Sequence, residues 1–178
     1  MDRSKSAAVS AGFFVVGPGS VVGLIPWVIT RWQLRRPLPG WSLARIVGAV
    51  LLATGLVPLG SAFAEFAKAG GAPLPVAPTE RLVITGFNRY LRNPMYIGLL
   101  LAVLGQALLF GNWRLLLYAA AVWLAPAAFV HWYEGPTLAR QFGAEYDAYR
   151  HAVPAWLPRL HPWTIDPDQT TLPKQERA

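Results

Sequence analysis

Four stretches of this chain contain no Asp, Glu, Lys or Arg: residues 6–30, 46–64, 93–113 and 115–133. Each is close to the roughly 20 residues that a helix needs to cross a hydrocarbon core. One such run describes a buried helix in a soluble protein. Four within 178 residues describe a polytopic membrane protein. Inside a bilayer every backbone N–H and C=O must be satisfied within the protein, so spanning segments of this kind are helices. The predicted fold is all-α, a transmembrane helix bundle with spans at about 11–30, 44–64, 94–110 and 114–132. Only the turn Gly111-Asn112-Trp113-Arg114 separates the last two, which makes them an antiparallel helical hairpin.

The few remaining charges exclude several functions. The formal charge is +7, yet only 14% of residues are charged. Much of the excess is arginine beside the apolar runs, where lipid headgroups provide the anions. No basic-aromatic stripe lies on a soluble module, so nucleic acid is not an expected partner. Without cysteine there is no disulfide framework, thiol nucleophile or thiolate metal site. His131, His151 and His161 are poorly spaced for a metal. The sequence has no phosphate loop, no dinucleotide glycine fingerprint and no Gly-x-Ser-x-Gly elbow. The first apolar run is interrupted by Pro18 and Pro26 and shows no signal-peptide cleavage pattern.

The first two spans are rich in helix-weakening residues. Gly17, Pro18, Gly19, Gly23 and Pro26 lie in one, and Gly48, Gly55 and Pro58 in the other. Membrane helices tolerate these where neighbours resatisfy the backbone, so both spans are predicted to bend and to pack closely. The connector 65–84, with Gly70-Gly71, Pro73, Pro75 and Pro78, reads as extended or turned. Beyond the fourth span, Pro136 opens a predicted amphipathic helix over about 136–151, with Leu138, Phe142, Tyr146 and Tyr149 on one face. Val153–Pro158 is proline-spaced and extended, and from about 166 the polar composition predicts disorder. Four spans leave both termini and the 65–92 connector on one side. Arg31, Arg35, Arg36, Arg45 and Arg114 lie on the other, against the larger share of the 16 Lys and Arg. The positive-inside rule makes the richer side cytoplasmic.

The polar residues concentrate at Thr85–Gly98, reading TGFNRYLRNPMYIG. Pro94 fits a first helical turn, with Asn93 as the cap. The hairpin brings His131 and Glu134, at the end of the fourth span, to the same level as Arg89 and Arg92. Arg92 either snorkels to headgroups or binds an anionic group. Glu134 can bridge Arg92 structurally, and Tyr90, Tyr96 and Tyr133 can be interfacial belt residues. Ionisable groups at this depth face protein, water or a ligand, so the spacing supports a shared polar pocket without naming its occupant.

The run TGFNRYLRNPMYIG, followed by the hairpin and then HWYEGPTLARQFGAEYDAYRHAVPAWLP, resembles the isoprenylcysteine carboxyl methyltransferase and phospholipid methyltransferase superfamily. The likeness covers about residues 80–160. It implies an integral-membrane enzyme that uses S-adenosylmethionine, with a cytosol-facing pocket built by the third and fourth spans and the segment after them. It also implies a single methyltransferase domain over 1–178, with two N-terminal spans (1–64) beside the cofactor-binding half. Arg92, Pro94, Tyr96 and Gly98 match the Arg-x-Pro-x-Tyr-x-Gly element. Glu134 matches the first acid of an acidic pair. Phe142, Gly143, Tyr146 and Tyr149 match a Phe-Gly-x-x-Tyr-x-x-Tyr element. The implied catalytic residues are Arg92, His131 and Glu134. The implied cofactor contacts are these three with Asn93, Pro94, Tyr96, Gly98, Tyr146 and Tyr149. Gly135 stands where the family's second acid would be. The expected partners are membrane lipids and a lipophilic or small methyl acceptor bearing a carboxylate, amine or thiol, in a bacterial-type plasma membrane. The competing reading is a non-catalytic membrane scaffold or small-ligand binder with the same fold.

Overall fold

The computed structural model describes residues 16–37, 39–69, 82 and 84–164, with the side chains of 63–69 excepted. The polar N-terminal tail, most of the connector and the tail from about 166 lie outside these residues. Among the described residues five α-helices make up the bundle: α1 (Val16–Thr30), α2 (Ser42–Ala69), α3 (Pro94–Phe110), α4 (Arg114–Phe142) and α5 (Ala144–Ala152). No strand occurs among the described residues. Two helices, α2 over Ser42–Ala62 and α4, are long and apolar enough to cross a membrane, with the shorter apolar α1 and α3 beside them. Leu43, Ile46, Leu117 and Leu124 are each more than 60% exposed on the outer faces. Lipid, not water, is the solvent that such a surface fits. The protein is an all-α membrane bundle.

Close approach of α2 and α3 depends on four glycines. A Cβ on Gly48 would lie 2.6 Å from the Gly105 carbonyl oxygen, and one on Gly55 would lie 2.6 Å from that of Gly98. The converse holds for Gly98 and Gly105. On each helix the two glycines are two turns apart, so they share a face, and the backbones touch along it. Dispersion contacts of this kind replace the hydrophobic drive that lipid cannot provide. Leu59, Leu99, Val103, Ala119 and Val122 form the small buried cluster beside this seam.

The α1 bend shows how the membrane constraint is met. Residues Ser20–Leu24 form a π turn, in which the Ile25 N–H reaches the Ser20 oxygen. That deprives the Val21 carbonyl of its usual donor. Pro26 has no N–H and deprives Val22 in the same way. Tyr118 of α4 donates its hydroxyl to the Val21 oxygen at 3.0 Å, and Gln106 of α3 donates Nε2 to the Val22 oxygen at 2.8 Å. The expected resatisfaction by neighbouring helices is thus achieved by two named side chains.

The hairpin turn closes as expected. Gly111 adopts a left-handed conformation (φ 61°), and the buried Asn112 accepts the Arg114 N–H through Oδ1 at 3.1 Å. Two expectations need correction. Residues 65–69 continue α2 instead of starting the connector. The amphipathic helix does not begin at Pro136. The α4 helix runs through that position, because a second π turn, Val130–Glu134, directs the Gly135 N–H to the Val130 oxygen and accommodates the proline. The break falls at Gly143 (φ 51°, ψ −124°), a conformation open to glycine. The α5 helix then folds back, burying Tyr146, Tyr149 and Val153.

Candidate active site

The segment before α3 holds the chain end against the bundle. Arg92 donates its backbone N–H to Pro154, and the Tyr90 and Arg89 carbonyls accept from the N–H groups of Arg159 and Trp163, at 2.9–3.0 Å. The Arg89 side chain adds a bond from Nε to the Trp163 oxygen at 2.9 Å. Asn93 occupies the cap position of α3, but its side chain makes no cap hydrogen bond. It is buried and donates Nδ2 to the Ala155 oxygen at 3.1 Å instead. Residues 153–163 are therefore fastened as an irregular strap across the end of the hairpin.

Beneath the strap is a cavity of about 350 Å³, within the range of small-ligand pockets. Its wall includes Arg92, His131, Gly135, Tyr146, Arg150 and Trp156. Arg92 donates Nη1 to the Tyr146 hydroxyl at 3.2 Å. Its Nε is buried with no hydrogen-bond partner. Glu134 does not line the cavity. Its Oε2 is buried and equally unpartnered, and its charge is felt by Arg92 and Tyr96. No ion pair joins Arg92 and Glu134 among the described residues, where Arg150–Asp147 at 2.9 Å is the pair formed. The structural bridge is therefore not made, and two opposite buried charges are left with capacity for a ligand.

The remaining expected site residues divide. Tyr146 is on the cavity wall. Tyr149 is buried behind it and donates its hydroxyl to the Asn88 oxygen at 2.7 Å. Burial pushes its phenol up to about 12, Arg92 acting against that and Tyr146 adding to it. Tyr96 packs on the apolar cluster between the helices and is not on the cavity wall. Pro94 starts α3. Gly98 offers no room to a ligand, because the Gly55 backbone and Pro58 already occupy that face. Arg150 and Trp156 escaped the sequence reading as individual contacts. Trp156 stacks edge-on against Trp123 with centroids 4.7 Å apart, and its place between Pro154 and Pro158 was the available signal.

Gly135 has a structural reason. A Cβ there would lie 2.9 Å from the Val130 oxygen that the π turn draws in. No second carboxylate fits at this position without reshaping that turn.

A search of curated proteins and of solved structures gave no match. The family model described as phospholipid methyltransferase matches residues 43–145, more than half of the 178 residues and everything from α2 to the start of α5. With an all-helical membrane bundle, a hairpin that gathers arginine, histidine and glutamate, and this match, the chain belongs to the phospholipid methyltransferase family of membrane methyltransferases.

Proposed function

We propose that the protein transfers a methyl group from S-adenosylmethionine to a lipophilic or small nucleophile. In this reading the whole chain forms one catalytic domain whose cavity faces the cytosol of a bacterial-type cell. The observation that carries it is Arg92: a guanidinium on the cavity wall, fixed by Tyr146, with a buried donor lacking any acceptor. An arginine so held fits the carboxylate of an amino-acid head. Glu134, next to the wall residue Gly135 and with an unpartnered oxygen, is the acceptor that an ammonium or hydroxyl donor reaching past the wall would meet. Trp156 offers an aromatic face for the adenine.

When bound, the cofactor supplies the methyl carbon, whose bond to sulfur breaks as the acceptor's lone pair forms the new one, leaving a neutral thioether. The chain's own groups align and desolvate. The strap covers one side of the cavity through Ala155 and Trp156, and fixed polar groups hold the reactants in line. A carboxylate or thiolate acceptor needs no base. An amine must shed its proton, and His131, on the cavity wall, is placed to take it. The acceptor enters laterally from the bilayer and the cofactor from the aqueous side.

Calorimetry of the detergent-purified protein with S-adenosylhomocysteine tests this reading. Binding is expected for the wild type and not for Arg92→Ala or Glu134→Ala, with both variants still folded. Folded wild type that takes up no ligand at millimolar concentration refutes the cofactor assignment. Normal binding by both variants refutes the site. Methyl-labelled cofactor incubated with membranes, followed by identification of the labelled product, names the acceptor.

A further inference from the structure

The two π turns stand in the same relation to a proline. Ser20–Leu24 precedes Pro26, and Val130–Glu134 precedes Pro136. In α1 the two carbonyls stripped of donors, those of Val21 and Val22, are filled by Tyr118 and Gln106. In α4 the equivalent carbonyls belong to His131 and Trp132. The Gly135 N–H goes to Val130, and Pro136 has no N–H to give. The side-chain donors that close over this end of the bundle, Arg89, Arg92, Asn93 and Tyr149, are bonded elsewhere. A helical carbonyl points toward the residues one turn on. Here those are Gly135 and Pro136, which line the cavity together with His131. The same backbone defect is therefore closed by side chains in one helix, while in the other it lies beside the cavity, whose wall includes His131, Gly135 and Pro136 but not the Trp132 side chain.

We propose that the His131 and Trp132 carbonyls form an acceptor subsite for N–H donors of the bound ligand. The inference rests on the cofactor reading above and adds to it. Arg92 takes the anionic group, and this pair takes amino hydrogens, either of the purine ring or of the ammonium. A helical carbonyl that has lost its N–H partner keeps its acceptor capacity, so the pair favours a ligand that brings donors with it.

Pro136→Ala restores an N–H within reach of the Trp132 oxygen, and Pro136→Ser does the same. Both variants should melt higher than the wild type, because the helix regains a bond and loses a proline. Both should bind S-adenosylhomocysteine about tenfold more weakly, as one hydrogen bond is worth. Pro26→Ala, in the π turn already closed by side chains, should bind as the wild type does. S-inosylhomocysteine, whose ring carries no amino group, separates the two donor sources. If the ring amino group is the donor, this analogue binds the wild type about tenfold more weakly and loses nothing further in the Pro136 variants. If the ammonium is the donor, it binds like the parent and loses as much. Unchanged binding by the Pro136 variants, with Arg92→Ala still defective, overturns the subsite and leaves the cofactor reading standing. Weaker binding with a lower melting temperature also overturns it, since that is damage to the fold. Wild type that binds no S-adenosylhomocysteine overturns both.

Discussion

The tyrosines of α5 show how two residues from one motif serve different ends. Tyr146 touches Arg92, and Tyr149, one turn on, fastens α5 to Asn88. Burial holds the Tyr149 phenol protonated up to about 12, against an ordinary 10.0. A phenol whose folded-state value is raised stabilises the fold fully below the unfolded value and loses that contribution as pH climbs through the folded one. Chemical denaturation should therefore show stability falling between pH 10 and 12, with a shallower fall in Tyr149→Phe. That variant should also be less stable by about 1 kcal/mol at neutral pH. Motif spacing located both residues. It did not separate them, because the distinction lies in which tyrosine meets the Asn88 carbonyl, and that depends on how Gly143 turns α5 back.

Among the elements, α1 depends on its neighbours for its backbone. Gln106→Leu should leave the Val22 oxygen without a donor, and Tyr118→Phe the Val21 oxygen. Each should cost about 1 kcal/mol, read as a lower melting temperature in detergent. The α2–α3 seam is less forgiving. Gly105→Val drives a branched side chain into the Leu52 and Gly48 backbone and should cost about 1–3 kcal/mol or more. Gly60→Ala, with nothing within 4 Å, should be close to neutral. The uncharged runs made the helices legible, and the glycine and proline content made their close contact legible. The boundary of α4 was not, because Pro136 is an ordinary helix-start signal, and only the π turn before it lets one helix pass through. Gly98 was misread for a related reason: a glycine that admits a ligand and one that admits another helix look the same in sequence.

For the whole molecule, the orientation proposed from charge placement is directly testable. The chain has no cysteine, so single cysteines report without background. Gln33→Cys, in the α1–α2 loop, should react with a membrane-impermeant maleimide in intact cells. Ala148→Cys, on α5, should react only after permeabilisation. The reverse pattern refutes the cytosolic placement of the cavity. The cavity was half legible in sequence. The hairpin's tight turn was enough to bring His131 and Glu134 level with Arg92. The wall contributed by Arg150 and Trp156 was not, since it is assembled by backbone hydrogen bonds that carry no side-chain signature.

That strap sets an order of events during biosynthesis. The helices α1 to α4 are complete once Phe142 has been made, and the glycine seam can form as they enter the membrane. The cavity cannot yet close, because Trp156 and the residues bonded to Tyr90 and Arg89, namely Arg159 and Trp163, have not yet been made. Membrane insertion and acquisition of the binding site are thus separate events. A chain ending at Ala152 should insert and fold as a bundle, yet fail to retain S-adenosylhomocysteine.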